Sequence, residues 1–106
     1  MNVALSDAII DVRPLGAGFA AAKTTVLVKS ASLEIIRLVV PTGKTIPEHH
    51  TKGDITVHCL EGLVDFVVGP VTRRLEAGLL LFVPQGERHS VHGIQDASLL
   101  VTIMMR

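Results

Sequence analysis

The chain has 106 residues, enough for one globular domain, and 48% of them are hydrophobic. Its 10 basic and 10 acidic residues give a formal net charge of zero, so composition predicts no nucleic-acid partner. No apolar run approaches the ~20 residues of a membrane-spanning helix, and the first residues lack a signal-peptide pattern. A single cysteine rules out an internal disulfide framework. We therefore expect a cytoplasmic protein with no membrane partner.

Short segments rich in β-branched residues, separated by Gly and Pro, make up most of the chain and predict an all-β fold. Residues 1–20 show weak periodicity, so we expect a less regular N-terminal segment within a single domain spanning 1–106. Gly62 reads as a turn between two strands. In chain order the predicted strands are TTVLVKS (24–30), SLEIIRLVVP (32–41), ITVHCLEG (55–62), LVDFVVG (63–69), VTRRLEAG (71–78), LLLFVP (79–84), HSVHGI (89–94) and SLLVTIMM (98–105). Their spacing indicates one antiparallel barrel.

The two-residue period of a strand assigns side chains to faces. In ITVHCL, Ile55, Val57 and Cys59 share an entirely apolar side, which predicts the barrel interior and sends His58 outward. The same alternation places His89 with Val91 on one side of its strand.

The segment GKTIPEHHTKGD (43–54) contains adjacent histidines, followed by Gly53 and Asp54. By alternation His49 faces the same way as Thr51, and His50 faces the opposite way. The two histidines are either metal ligands or polar residues of an exposed bend, and the local pattern leaves both interpretations open.

The segment GLLLFVPQGERH (78–89) resembles the second conserved motif of the cupins, with Gly78, Pro84, Gly86 and His89 at the family spacing. In that motif a Gly opens a strand, Pro-x-Gly makes a turn, and a metal-binding His follows.

The segment GKTIPEHHTKGDITVHCLEG (43–62) is similar to the first cupin motif, with Gly43, His49 and Gly62 in place. The resemblance implies a double-stranded β-helix, a jelly-roll barrel that is usually a homodimer, with its site in the barrel mouth. It also implies one divalent transition metal, Fe, Mn, Ni or Zn.

This sequence departs from the cupin pattern at the positions that supply ligands. Thr51 stands at the second His position and Ile55 at the Glu position, so His49 and His89 alone remain of the four family ligands. Gly93 replaces the Asn that often closes the second motif. The resemblance therefore implies a cupin fold with a reduced histidine site, and it leaves open whether a metal is bound.

A different alignment of the first motif takes His50 and Asp54 as ligands in place of the residues at the family spacing. We call this alignment the shifted register, and it restores a third ligand. His50, Asp54 and His89 would form two histidines and one carboxylate, the set typical of non-haem iron sites. One extra residue before Gly62 is then needed, which a β-bulge can absorb.

Two functions follow from these alternatives. The first is a small-molecule-binding protein whose ligand is oriented by His49 and His89. The second is a metal-dependent cupin enzyme of the dioxygenase or isomerase type, which requires the shifted register. Whether the protein is an enzyme stays open. For either function we expect a homodimer, consistent with apolar outer positions such as Leu60 and Ile94, and an apolar ligand pocket formed by Thr51, Ile55, Val57, Cys59 and Val91.

Overall fold

The structure, a computed structural model, describes residues 7–105, and its regular elements there are seven strands and one short 3-10 helix. No helix in this range is long and apolar enough to cross a membrane. The 3-10 helix spans Gly16–Ala21. The strands are β1 (Thr25–Lys29), β2 (Leu33–Val40), β3 (Thr45–His49), β4 (Ile55–Val68), β5 (Val71–Glu76), β6 (Leu80–Val83) and β7 (His89–Met104). The predicted all-β fold is confirmed.

The strands form one antiparallel sheet in the order β1-β2-β7-β4-β5, with β3 paired to β7 and β6 paired to β4. The two long strands, β4 and β7, pair along most of their lengths. The second half of β7 also pairs with β2, while its first half pairs with β3. Each long strand therefore belongs to both halves of the barrel, and the sheet closes into a double-stranded β-helix.

The predicted turn at Gly62 is wrong, because β4 continues through this residue as one strand. Its pairing with β7 shifts register between Cys59 and Val64, as in a β-bulge. Gly62 has a φ of +82°, and a Cβ atom there would lie 2.0 Å from the carbonyl oxygen of Asp96. Both observations require glycine, so the residue that resembles a turn maker instead bends a continuous strand.

Two further boundaries differ from the sequence prediction. The segments HSVHGI and SLLVTIMM form the single strand β7, because Gln95 pairs with Leu63 and Ala97 with Val40 across the region between them. The segment Thr45–His49, where no strand was predicted, is strand β3. Pairing to β7 therefore fixes the first histidine of the GKTIPEHH segment at the end of a strand.

The predicted interior face of β4 is confirmed, since Ile55, Val57 and Cys59 are buried. His89 and Val91 on β7 are also buried. His58 alternates to the outer face and is only partly buried. Together these strands enclose one hydrophobic core, whose buried members are Val40, Ile55, Val57, Cys59, Val64, Phe66, Leu75, Val83, Val91, Ala97, Leu99 and Val101.

Candidate functional site

A pair of histidines lies where β3 ends and β7 begins. His49 and His89 are direct partners across the two strands, and their ring centroids are 4.3 Å apart at an interplanar angle of 65°. His89 also stacks on Phe66 at a centroid distance of 5.6 Å. His89 is buried, whereas His49 is exposed. The pair therefore extends from the barrel interior to its mouth.

Backbone carbonyls fix the tautomer of both rings. The Nδ1 atom of His49 lies 3.0 Å from the carbonyl oxygen of Pro47, and Nδ1 of His89 lies 3.0 Å from that of Glu87. A carbonyl oxygen only accepts hydrogen bonds, so each Nδ1 carries a hydrogen and donates it. In the neutral imidazole the other nitrogen, Nε2, is then an acceptor with a free lone pair.

The buried ring is also held in its neutral form. Burial lowers the pKa of His89 below the 6.5 of an unperturbed imidazole. The hydrogen bond to Glu87 acts in the opposite direction, while the charges of His49 and His50 lower the pKa further. Because burial is the largest of these effects, the His89 ring is neutral at pH 7.

The two rings line a small cavity of about 40 Å³. Among residues 7–105 no side-chain nitrogen or oxygen is both fully buried and without a hydrogen-bond partner. Nε2 of His89 has no partner within the same range, so this atom is not fully buried, and the ring that carries it lines the cavity. The remaining lining is entirely apolar: Leu38, Ile55, Val57, Phe66, Val91 and Val101. Two imidazole acceptors thus lie at the mouth of an apolar space.

The loop between β3 and β4 contains Asp54, which binds the turn that follows β6. Its carboxylate accepts a hydrogen bond of 2.8 Å from the backbone N–H of Gln85. The neighbouring Thr51 carbonyl accepts another from the N–H of Gly86. His50 is exposed. The β-bulge that the shifted register needs is present in β4, but the loop uses Asp54 to bind the turn at Gln85 and does not bring it together with His50 and His89.

The structure places the predicted pocket residues in three different surroundings. Ile55, Val57 and Val91 line the histidine cavity. Thr51 lies in a separate depression beside Ile103 and Met104. Cys59 is fully buried in the core, where its thiol donates to the carbonyl of Glu61, and burial raises its pKa. Thr51 and Cys59 are therefore not among the residues that line this cavity.

The donor set does not fit the four-ligand metal centre that the cupin resemblance implies. No group of three or more His, Cys, Asp and Glu side chains within residues 7–105 is arranged to hold a metal ion. The Glu position holds Ile55, which is 2% exposed and forms part of the apolar cavity wall. What remains of that centre is the pair of Nε2 atoms.

Sequence reasoning did not identify Leu38, Phe66 and Val101 as cavity residues. The alternation in LVDFVVG could have predicted that Phe66 faces the interior. The preceding residue, Asp65, is charged and faces outward, so Phe66 faces inward. Leu38 lies in LEIIRLVV, whose charged residues Glu34 and Arg37 fall on opposite faces, and Val101 lies in the largely apolar segment SLLVTIMM, so periodicity does not distinguish the faces of either.

A second polar cluster, which the sequence did not indicate, lies on the outer face of β2, β7 and β4. Ser98 is fully buried, and its hydroxyl donates to the carboxylate of Glu61. The same carboxylate accepts hydrogen bonds from the backbone N–H groups of Leu15 (2.8 Å) and Gly16 (3.1 Å). We call Glu61, Ser98 and Arg37 the outer cluster.

The third member of the outer cluster, Arg37, is 7% exposed. Its guanidinium donates to the backbone carbonyls of Asp11 and Arg13, both at 3.0 Å. Burial alone would raise the pKa of Glu61, but its hydrogen bonds and the charge of Arg37 outweigh that effect and lower it. The outer cluster therefore ties the segment 11–16 to the sheet.

Comparison with solved structures places the fold among known barrels. A cupin superfamily protein from Desulfitobacterium hafniense has a TM-score of 0.79 at 19% identity, covering 92% of this chain and 95% of that one. An RmlC-like cupin from Shewanella frigidimarina has a TM-score of 0.73 at 20% identity, covering 78% and 75%. An RmlC-like cupin with a double-stranded β-helix fold from Methanocaldococcus jannaschii has a TM-score of 0.70 at 17% identity, covering 77% and 80%.

The sequence itself matches a family profile. The family described as cupin domain matches residues 36–105, a range that includes β3, β4, both histidines and the whole of β7. No curated protein matches the chain. Because the match covers well over half of the sequence, the chain belongs to the cupin family.

Proposed function

We propose that this cupin binds a small molecule at the mouth of its barrel, with His49 and His89 orienting the ligand. The observation that carries the proposal is the preset tautomer of both rings, which leaves two Nε2 acceptors beside an apolar cavity. A mostly apolar space with a few convergent polar atoms is the usual form of a small-molecule site. Because a catalytic metal centre normally uses about three protein ligands, two imidazoles favour binding without a resident metal.

A binding experiment tests this function directly. Methyl resonances of Ile55, Val57 and Val91 report on the cavity wall, so we expect saturable shifts at these groups when small fragments are titrated into labelled protein. Methyl groups of Leu75, which is buried in the core but does not line the cavity, serve as the internal control. A fragment set that leaves all three cavity residues unmoved would contradict the proposal.

The metal-dependent enzyme is the second candidate, favoured by one observation. Histidines that ligate metals usually donate their other ring N–H to a carbonyl or carboxylate, as both histidines do here. A transition metal held by the two Nε2 atoms would polarise a bound substrate. It would require its remaining ligands from solvent, from substrate or from a moved His50.

Metal content separates the two candidates. We would load tag-free protein with iron, manganese, nickel or zinc, remove the excess, and measure the bound metal by plasma mass spectrometry. The same measurement on His89→Ala and Asp54→Ala separates the registers, and His58→Ala on the outer face is the control. Substoichiometric metal in the parent protein supports metal-free binding. Near-stoichiometric metal that falls in both variants would favour the enzyme with the shifted register.

We also propose a homodimer, formed through the outer face of the sheet. On this face Phe82 is 58% exposed and Leu80 is 66% exposed, unusually high values for large apolar side chains in strands. Register places Ile35, Thr56, His58, Leu100 and Thr102 on the same face. Arg37 also lies there, opposite Leu100, but it is buried and its guanidinium is hydrogen-bonded to the carbonyls of Asp11 and Arg13. The exposed apolar part of this face can pack against its own copy across a two-fold axis.

Light scattering on the eluate of a size-exclusion column measures the oligomer. We expect a dimer in the parent protein and a folded monomer for Phe82→Asp. The matched control is Val71→Asp, another exposed apolar residue, which is the first residue of β5. A parent protein that elutes as a monomer at high concentration would overturn the dimer proposal.

A further inference from the structure

We propose that the molecule bound at the histidine pair is a neutral hydrogen-bond donor, an alcohol or an N–H compound, that inserts a short apolar group into the cavity. This inference rests on the proposed binding function and goes beyond it by naming the ligand class. It follows from the polarity, the size and the charge of the site, taken in turn.

The site offers a ligand hydrogen-bond acceptors but no donors. Both Nδ1–H groups are already donated to the carbonyls of Pro47 and Glu87, so neither is available to a ligand. The rest of the lining is hydrocarbon. A ligand carboxylate or ether oxygen would meet no donor and would lose its hydration without compensation. A ligand O–H or N–H, in contrast, can donate to Nε2.

The size of the cavity limits what enters it. About 40 Å³ is room for only a few water-sized groups, far below the 300–1,000 Å³ of a site that encloses a whole drug-sized molecule. The ligand therefore places a short alkyl group inside, against the valines and Phe66. Its donor lies at the level of the two rings, and any larger part remains outside, beside the exposed His49.

The charges near the mouth face away from the cavity. Glu48 and Arg88 are the chain neighbours of the two histidines, and neither lines the cavity. Strand alternation directs Glu48 to the side opposite His49, and Arg88, which precedes β7, pairs with Glu48. Their side chains are exposed and lie 3.6 Å apart, so the cation is already paired with an anion. Neither offers an unpaired charge to the ligand, which favours a neutral molecule.

Three small probes of similar length test the ligand class. 1-Butanol and diethyl ether are isomers, so they match in size and differ in the ability to donate. Butyrate has the same number of carbons but is an anionic acceptor. Each is titrated at pH 7.5 into chelator-treated, metal-free protein, with the methyl resonances of Ile55, Val57 and Val91 as the readout.

We expect 1-butanol to bind at least about threefold more tightly than diethyl ether or butyrate, the ratio that one hydrogen bond supplies. Equal binding of butanol and ether would overturn the donor inference and leave the binding function standing. Tighter binding of butyrate would also overturn it, in favour of an anion site. If none of the probes moves the cavity methyl groups, the donor inference fails as stated, and failure of the wider fragment set as well would show that the binding function is wrong.

A ring replacement assigns the effect to the histidines. The variant His49→Phe keeps an aromatic ring beside His89 but removes the acceptor at the mouth, and the exposed position of His49 makes the change tolerable to the fold. We expect the preference for butanol over ether to fall at least twofold in this variant. The control His50→Phe alters the next residue, which does not line the cavity, and should retain the full preference. An undiminished preference in His49→Phe would show that the donor is recognised elsewhere.

Discussion

Two groups of polar side chains, the outer cluster and the histidine pair, lie on opposite faces of the sheet, and their hydrogen bonding differs. In the outer cluster, Glu61 accepts from Ser98 and from two backbone N–H groups. In the histidine pair, each ring makes one hydrogen bond to the backbone carbonyl two residues before it and has an Nε2 atom without a partner among residues 7–105. One group satisfies its polar atoms within the protein, and the other leaves acceptors at a cavity.

This difference indicates what each group contributes. A buried polar network that is fully hydrogen-bonded stabilises and orders the fold, because any lost partner leaves a desolvated polar atom. An acceptor left without a partner contributes nothing to folding, and it becomes useful when a ligand supplies the hydrogen. We therefore expect substitutions in the outer cluster to reduce stability without affecting binding, and a substitution of the exposed His49 to do the reverse.

The variant Glu61→Gln should give the largest effect. The amide directs an NH₂ group at one or more of the donors that the carboxylate accepts from, and it also removes the charge that Arg37 faces. Hydrogen bonds to charged groups are worth about 1.5–3 kcal/mol, so we expect a loss of about 2 kcal/mol. Urea denaturation measures it, with the exposed Glu76→Gln as the control. A loss under about 0.5 kcal/mol would remove the distinction between the two groups.

The histidine pair and the outer cluster should affect stability in two different pH ranges. The pKa of His89 is lowered in the fold, so the unfolded chain binds the extra proton, and stability is lost as pH falls below about 6.5. The pKa of Glu61 is also lowered, from 4.5, so its contribution is lost at pH values below about 4.5.

Unfolding free energies between pH 8 and pH 3 check both ranges. We expect His89→Gln to flatten the curve between pH 6.5 and pH 5, and Glu61→Gln to flatten it below pH 4.5. A parent protein whose stability is constant from pH 8 to pH 5 would contradict the assignment of a lowered pKa to the buried imidazole.

The fold was largely predictable because short local patterns in this sequence indicate the strands and their buried faces. Alternation of apolar and polar residues in ITVHCL predicted the interior side of β4, and the Gly and Pro spacing of the second cupin motif predicted His89 at the start of β7. The error at Gly62 has a physical cause. Glycine is favoured both in a turn and in a β-bulge, so the residue type does not distinguish them. What distinguishes them is the close approach of Gly62 to Asp96, which lies in another strand far along the chain.

The site was less predictable because it depends on contacts that local patterns do not contain. Nothing in KGDITV indicates that Asp54 accepts a hydrogen bond from Gln85, which lies in a distant turn. Glu61 and Arg37 likewise occur in different strands, and they approach each other only when β7 lies between β2 and β4. Sequence reasoning therefore found the two histidines and missed the hydrogen bonds that give them their chemistry.

An exposed ion pair allows the stability contribution of the outer cluster to be compared with that of a surface contact. Arg74 on β5 donates to both carboxylate oxygens of Asp65 on β4, at 3.0 and 3.2 Å, and this contact lowers the pKa of Asp65. Because the arginine is largely exposed, we expect Asp65→Asn to cost less than about 1 kcal/mol. The cost should shrink further in 1 M salt, whereas that of Glu61→Gln should not. Equal costs and equal salt dependence would mean that the outer cluster behaves as a surface ion pair.

The variant His49→Phe should have the smallest effect on stability and a large effect on recognition. His49 is exposed, its hydrogen bond to Pro47 is local, and phenylalanine preserves the ring beside His89, so we expect a change within about 0.5 kcal/mol in urea denaturation. The preference for an alcohol over its isomeric ether should fall in the same protein. Loss of recognition without loss of stability is the mirror image of Glu61→Gln. A variant that lost both would show that the histidine pair also supports the fold, and the contrast between the two faces would then be one of degree.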